Sequence, residues 1–300
     1  MDRFEQLKKQ LIDRCGQMEL RSGEPMSAHT SFHIGGPARL MALPVSREQA
    51  VCAVQAAAEL GVEPFFMGNG SNLLVPDEGV ERFIIKTSGM KNCTVAGTTV
   101  TAECGITLAR LAVQARDAGL TGLEFAHGIP GSLGGAVTMN AGAYDGEMAQ
   151  VVTGVTCLNG DGSVEEVTRF DFGYRRSAFS DGRRMVLSAR MELAPGDPAQ
   201  IAARMEELAT RRRDKQPLEY PSAGSMFKRP VGYFAAALID QCGLKGFTVG
   251  GAQVSEKHAG FVVNRGGATC ADVLELVKQV KARVLEQTGV ALEMEVKVLN

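Results

Sequence analysis

Three glycine-rich segments that lack Asp, Glu, Lys and Arg lie in the first half of the chain. They read TSFHIGGPA at 30–38, MGNGSNLL at 67–74 and HGIPGSLGGAVTMNAG at 127–142. Ordered glycine costs backbone entropy, so the five glycines of the third segment need a conformational or a contact reason. Backbone N–H groups that no side chain covers can hold phosphates, and apolar loop backbone can flank a flat ring. We therefore expect one long ligand, a diphosphate with a ring system at one end; a set of tight turns is the alternative.

The spacing of MGNGSNLL differs from that of the nucleotide-binding fingerprints. G-x-G-x-x-G beginning at Gly68 would need glycine where Leu73 stands, and the apolar stretch that follows predicts a strand rather than a helix. The phosphate-loop pattern G-x-x-x-x-G-K-[ST] does not occur in the chain. By itself the segment is typical of a tight polar turn. A ligand site is favoured because two other uncharged, glycine-rich segments occur in the same half of the chain.

Two arginines stand between apolar neighbours in GYRRSAF, at 173–179. A guanidinium stays protonated and forks onto carboxylate or phosphate, so Arg175 and Arg176 are candidates for holding an anion. A pair of surface arginines is the alternative, and the residues alone favour it slightly.

Candidate acids and bases occur in two segments near the C-terminus. SAGSMFKRP, at 222–230, contains Ser225, but serine is common in turns because it bonds its own backbone. In ALEMEVKVL, at 291–299, Glu293 and Glu295 alternate with apolar residues, as they would on the solvated face of an edge strand. From the residues alone, Ser225 could belong to an ordinary turn, and the two glutamates could lie on the solvated face of an edge strand.

The elements that would position these segments follow an α+β order. Apolar residues at helical spacing from Phe4 to Met18 predict a first helix, and Ser46 with Gln49 predicts a capped helix ending at Glu59 or Leu60. The strands EPFFM and RFIIK follow it, and TVTAEC, the helical LARLAVQARDAG and a strand LEFAHG repeat the strand–helix–strand order. VVTGVTCL, NGDG and SVEEVT predict a hairpin. A charged helix at 197–216 precedes a last part with helices near 234–241 and 271–287 and a closing strand at 291–299.

The composition excludes several classes of function. With 32 basic against 34 acidic residues, the chain has no overall basic field that would attract nucleic acid. The seven cysteines are scattered, with no C-x-x-C pair and no metal-ligand spacing, so we expect reduced, mostly buried thiols and no bound metal. No stretch has the length of a membrane span and the N-terminus lacks a long apolar core, so the expected compartment is the cytoplasm.

Six blocks, in order along the chain, resemble those of the UDP-N-acetylenolpyruvoylglucosamine reductases of bacterial peptidoglycan synthesis. They are TSFHIGGPA, MGNGSNLL, GIPGSLGGAVTMNAGAY, GYRRSAF, AGSMFKRP and GAQVSEKHAGFVVN, and the likeness runs from Thr30 to the C-terminus. Each block is weak alone and the set is specific. The resemblance implies an α+β fold: a two-part FAD-binding domain of the vanillyl-alcohol-oxidase (PCMH) type, at 1–86 and 87–195, and a C-terminal α+β substrate-binding domain at 196–300.

The resemblance also implies the reaction of an NADPH-dependent flavoenzyme. Hydride would pass from NADPH to non-covalent FAD and then to the enolpyruvyl group of UDP-N-acetylglucosamine enolpyruvate, which gives UDP-N-acetylmuramate. The glycine-rich segments would wrap the flavin and its diphosphate. The implied FAD-binding residues are Gly68, Asn69, Gly70, Ser71, Asn72, Gly128, Ile129, Pro130, Gly131, Ser132, Gly135, Ala136, Asn140, Ala141 and Gly142.

Five further residues receive roles from the same resemblance. Arg175 matches the arginine that contacts the enolpyruvyl carboxylate, and Tyr174 is its neighbour at the substrate. Ser225 matches the serine that donates a proton in the second half-reaction, and Lys228 would contact the UDP moiety. Glu295, rather than Glu293, matches the catalytic carboxylate that precedes Val in an L-x-x-E-V pattern.

The chain departs from the family pattern in two places. His33 stands where the family more often has a basic residue, and only 50 residues separate Arg175 from Ser225. The short interval predicts the shorter of the family's two subtypes, which lacks an insert carrying an extra tyrosine over the substrate.

Two other classes of protein stay open. One is a flavin oxidase of the same fold, with its flavin attached through a histidine such as His127, and the other is a nucleotide-binding module without catalysis. The expected partner is a small-molecule substrate, with no nucleic acid and no membrane, and the sequence is compatible with a monomer.

Overall fold

The computed structural model describes residues 2–299, which divide into two compact units interleaved along the chain. Unit 1 consists of the chain up to Ser22, Arg39–Asn69 and Arg82–Arg211, and unit 2 of Gly23–Ala38, Gly70–Glu81 and the chain from Arg212 onwards. The sequence predicts three domains that follow one another along the chain, with boundaries at 86/87 and 195/196. The two units differ from this expectation because each is built from separate stretches of chain. As functional boundaries they stay predictions.

Within residues 2–299 the helices are α1 Arg3–Arg14, α2 Arg47–Glu59, α3 Leu108–Asp117, α4 Leu133–Thr138, α5 Pro198–Lys215, α6 Ala235–Gln241 and α7 Cys270–Thr288. The strands are β1 Glu19–Pro25, β2 Pro37–Leu43, β3 Pro64–Met67, β4 Leu73–Leu74, β5 Val80–Lys86, β6 Cys93–Ala96, β7 Thr99–Glu103, β8 Leu120–Thr121, β9 Gly142–Ala143, β10 Gly146–Glu147, β11 Val152–Leu158, β12 Val164–Val167, β13 Met185–Glu192, β14 Ala194–Pro195, β15 Thr248–Val249, β16 Ala252–Val254, β17 Val262–Asn264 and β18 Lys297–Val298. Each helix of the described residues is too short or too polar to cross a membrane.

The strands form three larger sheets, with orders β1-β2-β5-β3, β12-β11-β13-β7-β6 and β15-β16-β17. β3 and β5 pair in parallel, whereas β11, β12 and β13 pair antiparallel. The pairing of Leu158 with Val164 closes the hairpin that the sequence predicts, and Gly162 has the positive φ, 84°, that its turn requires. The sequence prediction of an α+β order with this hairpin is confirmed.

Caps and apolar spacing explain the first two helices. Asp2 accepts a hydrogen bond from the Phe4 N–H at the start of α1, and the buried residues of α1 recur at helical spacing. Ser46 accepts a hydrogen bond from the Gln49 N–H at 3.3 Å, and α2 ends at Glu59 before Gly61, whose φ is 61°. Both predicted helices are confirmed.

The expectation that all cysteines are reduced is wrong for one pair. Cys15, which directly follows α1, forms a disulfide with Cys52 of α2, with their Cα atoms 5.7 Å apart. The positions of the cysteines along the chain do not predict this disulfide, because it forms only when α1 packs against α2 and brings the two distant cysteines within bonding range. Among the other five, which are free, burial raises the pKa of the Cys104 thiol to about 12.

The predicted strand LEFAHG is also wrong. Glu124–Ala126 is a 3₁₀ turn, because the Glu124 carboxylate accepts hydrogen bonds from the Thr121 hydroxyl at 2.5 Å and the Gly122 N–H at 2.8 Å. Phe125 and Ala126 are both buried within this turn. The strand pairing nearby is confined to β8, Leu120–Thr121.

The core of unit 2 is assembled from all three of its chain segments. Phe32 and Leu74 are fully buried and belong to the same apolar cluster as residues of α6 and α7. The Asp77 carboxylate accepts hydrogen bonds from the first N–H groups of α7, from Cys270 at 2.8 Å and Ala271 at 3.2 Å. Unit 2 therefore depends on residues that lie about two hundred positions before α7.

The closing strand is shorter than the sequence predicts. Only Lys297 and Val298 form β18, which pairs in parallel with β4, and Met294 makes an isolated bridge with Phe227. The helices predicted near 234–241 and 271–287 are confirmed as α6 and α7. Thr269 and Asp272 form a capping box at the start of α7, and Gly289 ends it with a φ of 71°.

Candidate functional site

The glycine-rich segment 127–142 of unit 1 contains α4 and lies beside 104–108. The Leu133 N–H donates to the Ile106 carbonyl at 2.9 Å, and the Gly134 N–H donates to the Cys104 carbonyl at 2.8 Å. A Cβ on Gly134 would lie 2.9 Å from Cys104 Cβ, closer than two carbons can approach. This glycine is therefore required for the packing of the segment, independently of any ligand.

Two buried polar atoms of the same segment have no hydrogen-bond partner among residues 2–299. They are the hydroxyl oxygen of Ser132, a residue that is 1 % exposed, and Nδ1 of His127. A Cβ on Gly68 would lie 2.1 Å from Ser132 Oγ, so only glycine allows the 68 backbone to come this close. Buried polar groups are almost always paired, so these two atoms are candidates for hydrogen bonds to a bound ligand or to water. Contact of this hydroxyl and this imidazole nitrogen with the flavin stays a prediction.

Two residues expected at the flavin have partners within unit 1. The Asn140 side chain is buried and donates from Nδ2 to the Gly173 carbonyl at 3.2 Å, while its Oδ1 accepts from the Ala149 N–H at 2.9 Å. A Cβ on Gly142 would lie 2.7 Å from the Gly146 carbonyl oxygen, across the β9–β10 pair. Their contacts with the flavin stay predictions, as do those of Gly128, Ile129, Pro130, Gly131, Gly135, Ala136 and Ala141.

The arginine predicted to hold a carboxylate lies in a tight turn of unit 1. Gly173 and Arg176 bridge the turn, and Arg175 between them has a φ of 55°. Its guanidinium carbon lies 5.2 Å from the centre of the Tyr174 ring, which is about half exposed. Tyr174 and Arg175 are thus adjacent in space as well as in sequence.

The first glycine-rich segment has a structural reason for its glycines. Within unit 2, a Cβ on Gly36 would lie 2.2 Å from the Asp77 carbonyl oxygen, and one on Gly35 would lie 2.7 Å from Val75 Cβ. The two glycines let 35–36 pack directly on 75–79. His33, with a φ of 55°, precedes them in the left-handed region that histidine occupies more readily than bulky apolar residues do.

Unit 2 brings together three of the predicted catalytic and substrate residues. The Lys228 N–H donates to the Glu293 carbonyl and the Glu295 N–H donates to the Met226 carbonyl, each at 2.8 Å. Ser225 bridges with Phe261 on the neighbouring segment. Ser225 and Lys228 are therefore on one chain segment, and Glu295 is on the segment paired with it.

Charged side chains gather on this paired segment. The Lys228 ammonium forms an ion pair with Glu293, and desolvation, aided by the positive charge of Lys228, lowers the pKa of Lys297. Glu295 is half-buried, and Asn72 Nδ2 donates to its backbone carbonyl at 3.4 Å. The Asn72 carbonyl accepts from the Lys297 N–H at 3.1 Å.

Sequence reasoning missed Lys297 and the contact of Asn72 with the Glu295 segment. The signal for Lys297 was present, because 293, 295 and 297 alternate with apolar residues and fall on one face of an extended chain. Asn72 gave no such signal, since 223 positions separate it from Glu295. The other residues of the 68–72 loop expected at the flavin are Gly68, Asn69, Gly70, whose φ is 63°, and Ser71.

Comparison with known proteins agrees with this geometry. Residues 38–168 match the family described as FAD binding domain, and residues 216–299 match the family described as UDP-N-acetylenolpyruvoylglucosamine reductase, C-terminal domain. Alkyldihydroxyacetonephosphate synthase, at 17% identity and a TM-score of 0.51 over 64% of this chain and 40% of that chain, shares the fold alone. The class is an FAD-binding oxidoreductase: an α+β protein with a two-part FAD-binding domain of the vanillyl-alcohol-oxidase (PCMH) type and a C-terminal α+β domain.

Closer relatives give the particular family. UDP-N-acetylenolpyruvoylglucosamine reductase of Pediococcus pentosaceus is 47% identical over 296 residues, which cover 98% of this chain and 99% of that protein. The protein of that name from Syntrophomonas wolfei is 47% identical over 294 residues, 97% of this chain and 98% of the other. The crystal structure of the Thermus caldophilus reductase superposes with a TM-score of 0.81 at 37% identity, covering 95% and 99% of the two chains. The chain belongs to the UDP-N-acetylenolpyruvoylglucosamine reductase family, as its sequence blocks predict.

Proposed function

We propose that this protein reduces the enolpyruvyl group of UDP-N-acetylglucosamine enolpyruvate to give UDP-N-acetylmuramate for peptidoglycan synthesis, with FAD as cofactor and NADPH as hydride donor. Family membership over nearly the whole chain supports the reaction, and the FAD-binding domain supports the cofactor. The observation that supports the assignment to residues is the backbone pairing of 226–228 with 293–295, because Ser225 and Glu295 belong to these two neighbouring segments.

When bound, FAD would supply hydride chemistry by accepting a hydride from NADPH and releasing it to the substrate. Segment 127–142 would hold it, with Ser132 Oγ and His127 Nδ1 as hydrogen-bonding groups that have no other partner among the described residues. Gly68 would leave room beside Ser132 for the ligand's own polar atoms.

The substrate's carboxylate determines what the side chains must do. Addition of hydride at the terminal carbon of the enol ether leaves negative charge on the carbon next to the carboxylate. We assign Arg175 to the carboxylate, because its guanidinium can fork onto both oxygens and spread that charge. Glu295 would polarise the same group, and Ser225 would donate its hydroxyl proton to the charged carbon.

A serine hydroxyl is a weak acid, so proton donation requires positive charge nearby. Lys228, whose ammonium is ion-paired with Glu293, and Lys297 lie on the segments that carry Ser225 and Glu295, and we assign these lysines as the source of that charge. Lys228 is also the proposed contact to the diphosphate of UDP, which its mobile point charge suits.

A test of the reaction needs only the purified protein and its visible spectrum. NADPH should bleach the yellow flavin, and UDP-N-acetylglucosamine enolpyruvate should restore it without oxygen. UDP-N-acetylglucosamine, which lacks the enolpyruvyl group, is the matched control and should leave the flavin reduced. Reoxidation by oxygen alone, with flavin that stays on the protein after acid treatment, would instead indicate an oxidase with a covalent link such as one through His127.

Compartment and assembly complete the proposal. We place the reaction in the cytoplasm, where NADPH and nucleotide sugars are available, and expect a monomer that binds neither nucleic acid nor membrane. Gel filtration with light scattering at several concentrations tests the monomer, and a constant mass equal to twice that of the chain would overturn it.

A further inference from the structure

The turn that carries Arg175 is held in an uncommon backbone conformation. The Gly173 N–H donates to the Arg176 carbonyl at 3.1 Å, and the Arg176 N–H donates back to the Gly173 carbonyl at 3.2 Å. Arg175, inside this turn, has a φ of 55°, a region that long side chains rarely occupy. Such a backbone persists only where its surroundings hold it.

The Asn140 side chain contacts the turn from within unit 1. Its Nδ2 donates to the Gly173 carbonyl at 3.2 Å, and its Oδ1 accepts from the Ala149 N–H at 2.9 Å. A backbone N–H can only donate, so the oxygen of the amide must face Ala149 and the NH₂ group must face Gly173. The side chain is 1 % exposed, and water therefore does not compete for either bond.

The other end of the loop is fixed to the same part of the chain. The hydroxyl groups of Ser177 and Ser180 both donate to the Thr138 carbonyl, each at 2.9 Å. Gly173 precedes Arg175 and Ser177 follows it, so the turn is attached on both sides to residues 138–140. Thr138 is the last residue of α4, and Asn140 follows the helix within the segment expected at the flavin.

We propose that Asn140 is the positioning residue for Arg175. It fixes the Arg175 turn to the glycine-rich segment, and it acts on the substrate's carboxylate only through the arginine; this inference rests on the proposed function of Arg175. An amide is required at position 140 because the two contacts need one acceptor and one donor on the same short side chain. Aspartate supplies the acceptor for Ala149 but places a second acceptor against the Gly173 carbonyl.

The variant Asn140→Asp tests the inference by removing the donor without changing the volume. With the FAD content of each preparation measured and rates given per bound flavin, the KM for the enolpyruvyl substrate should rise about tenfold or more, with a smaller change in kcat. Gln150→Glu is the matched control, because Gln150 also accepts from a backbone N–H, that of Glu147, and donates to a backbone carbonyl, that of Asp145. The control should leave both half-reactions unchanged.

Amide hydrogen exchange of the apoprotein gives a readout that needs neither flavin nor turnover. In Asn140→Asp, exchange at 174–177 should be about tenfold faster, while β11 and β13 keep their protection. Should Asn140→Asp not fold, Asn140→Gly serves the same test, since glycine adopts the φ of 42° found at this position without strain. Faster exchange throughout unit 1, or equal slowing of both half-reactions, would show a merely structural role and overturn the inference.

A double variant shows whether Asn140 acts through Arg175. In an Arg175→Ala background, Asn140→Asp should have little further effect on the substrate half-reaction, whereas an equal effect in both backgrounds would overturn the inference. If the parent protein does not reduce the enolpyruvyl substrate at all, the proposed function fails, and the exchange at 174–177 still decides whether Asn140 holds the turn.

Discussion

Ser225 is exposed, and it lies on a segment whose backbone is paired to 293–295. Because it is assigned only to protonation after hydride transfer, Ser225→Ala should leave folding, colour and flavin reduction by NADPH intact. Turnover should fall by about 10²- to 10⁴-fold, the usual contribution of a positioned general acid, with a smaller change in substrate affinity. Ser225→Cys should retain more activity, since a thiol can still donate a proton. Steady-state and single-turnover kinetics measure both effects.

The matched control for Ser225 is Ser222, three positions earlier in the same loop. Its backbone N–H donates to the Ser31 carbonyl at 3.1 Å, and its carbonyl accepts from the Ser31 hydroxyl at 2.7 Å. Neither bond involves the Ser222 side chain, so Ser222→Ala should stay within about threefold of the parent turnover. A damaging Ser222→Ala beside a silent Ser225→Ala would mean that the proton donor is misassigned.

Arg175 offers a second test at the residue scale. Arg175→Ala should keep flavin reduction by NADPH, because the guanidinium is assigned to the substrate carboxylate rather than to the dinucleotide. Reoxidation of the flavin by substrate should slow by about 10²-fold or more, since two charge-assisted hydrogen bonds are lost. Stopped-flow absorbance separates the two steps, and loss of the NADPH step alone would contradict the assignment.

At the scale of elements, α4 has two adjacent glycines, Gly134 and Gly135, whose surroundings differ. Gly134→Ala should lower the free energy of unfolding by about 1–3 kcal/mol, because its Cβ would lie 2.9 Å from Cys104 Cβ. Gly135→Ala meets only Ser132 Oγ, at 3.8 Å, and should stabilise the apoprotein by up to about 1 kcal/mol through helix propensity. If Gly135 contacts the flavin, the same variant should lower FAD affinity. Denaturant unfolding and flavin titration measure the two quantities, and unchanged FAD affinity would remove Gly135 from the flavin site.

The elements that sequence predicted correctly are those with local signals. Apolar spacing predicted α1, the capping pair of Ser46 and Gln49 predicted α2, and turn residues predicted the β11–β12 hairpin. The disulfide of Cys15 and the 3₁₀ turn at Glu124 depend on tertiary contacts or on a single side chain that competes with the strand, and neither leaves a periodic pattern.

The same distinction applies to the site. The roles of Arg175, Ser225 and Glu295 stay predictions that rest on short family motifs, whereas the bond from Asn72 to the Glu295 carbonyl joins residues far apart in sequence. Glycine gave an ambiguous signal, because Gly36 and Gly134 serve internal packing and Gly68 lies beside a hydroxyl without a partner in the described chain. Amino-acid composition cannot distinguish a glycine required for internal packing from a glycine that leaves room for a ligand.

At the scale of the whole molecule, the interleaved units predict how fragments behave. A fragment of residues 212–300 lacks Phe32 and Leu74, which are fully buried in unit 2, and the Asp77 carboxylate at the start of α7. We expect it to be largely unfolded, with poor dispersion in proton NMR spectra. A control fragment that joins 23–38, 70–81 and 212–300 through flexible linkers should show dispersed signals. A well-folded 212–300 would contradict the division into these units.

The interleaving of unit 2 also constrains how the protein is made. A ribosome releases residues 23–38 and 70–81 long before it has synthesised α6 and α7, so Phe32 and Leu74 emerge without the apolar residues that later cover them. Unit 2 can complete its core only near the end of translation. A premature stop anywhere before α7 therefore leaves two apolar N-terminal segments exposed, and proteases or chaperones can recognise such truncated chains by those segments.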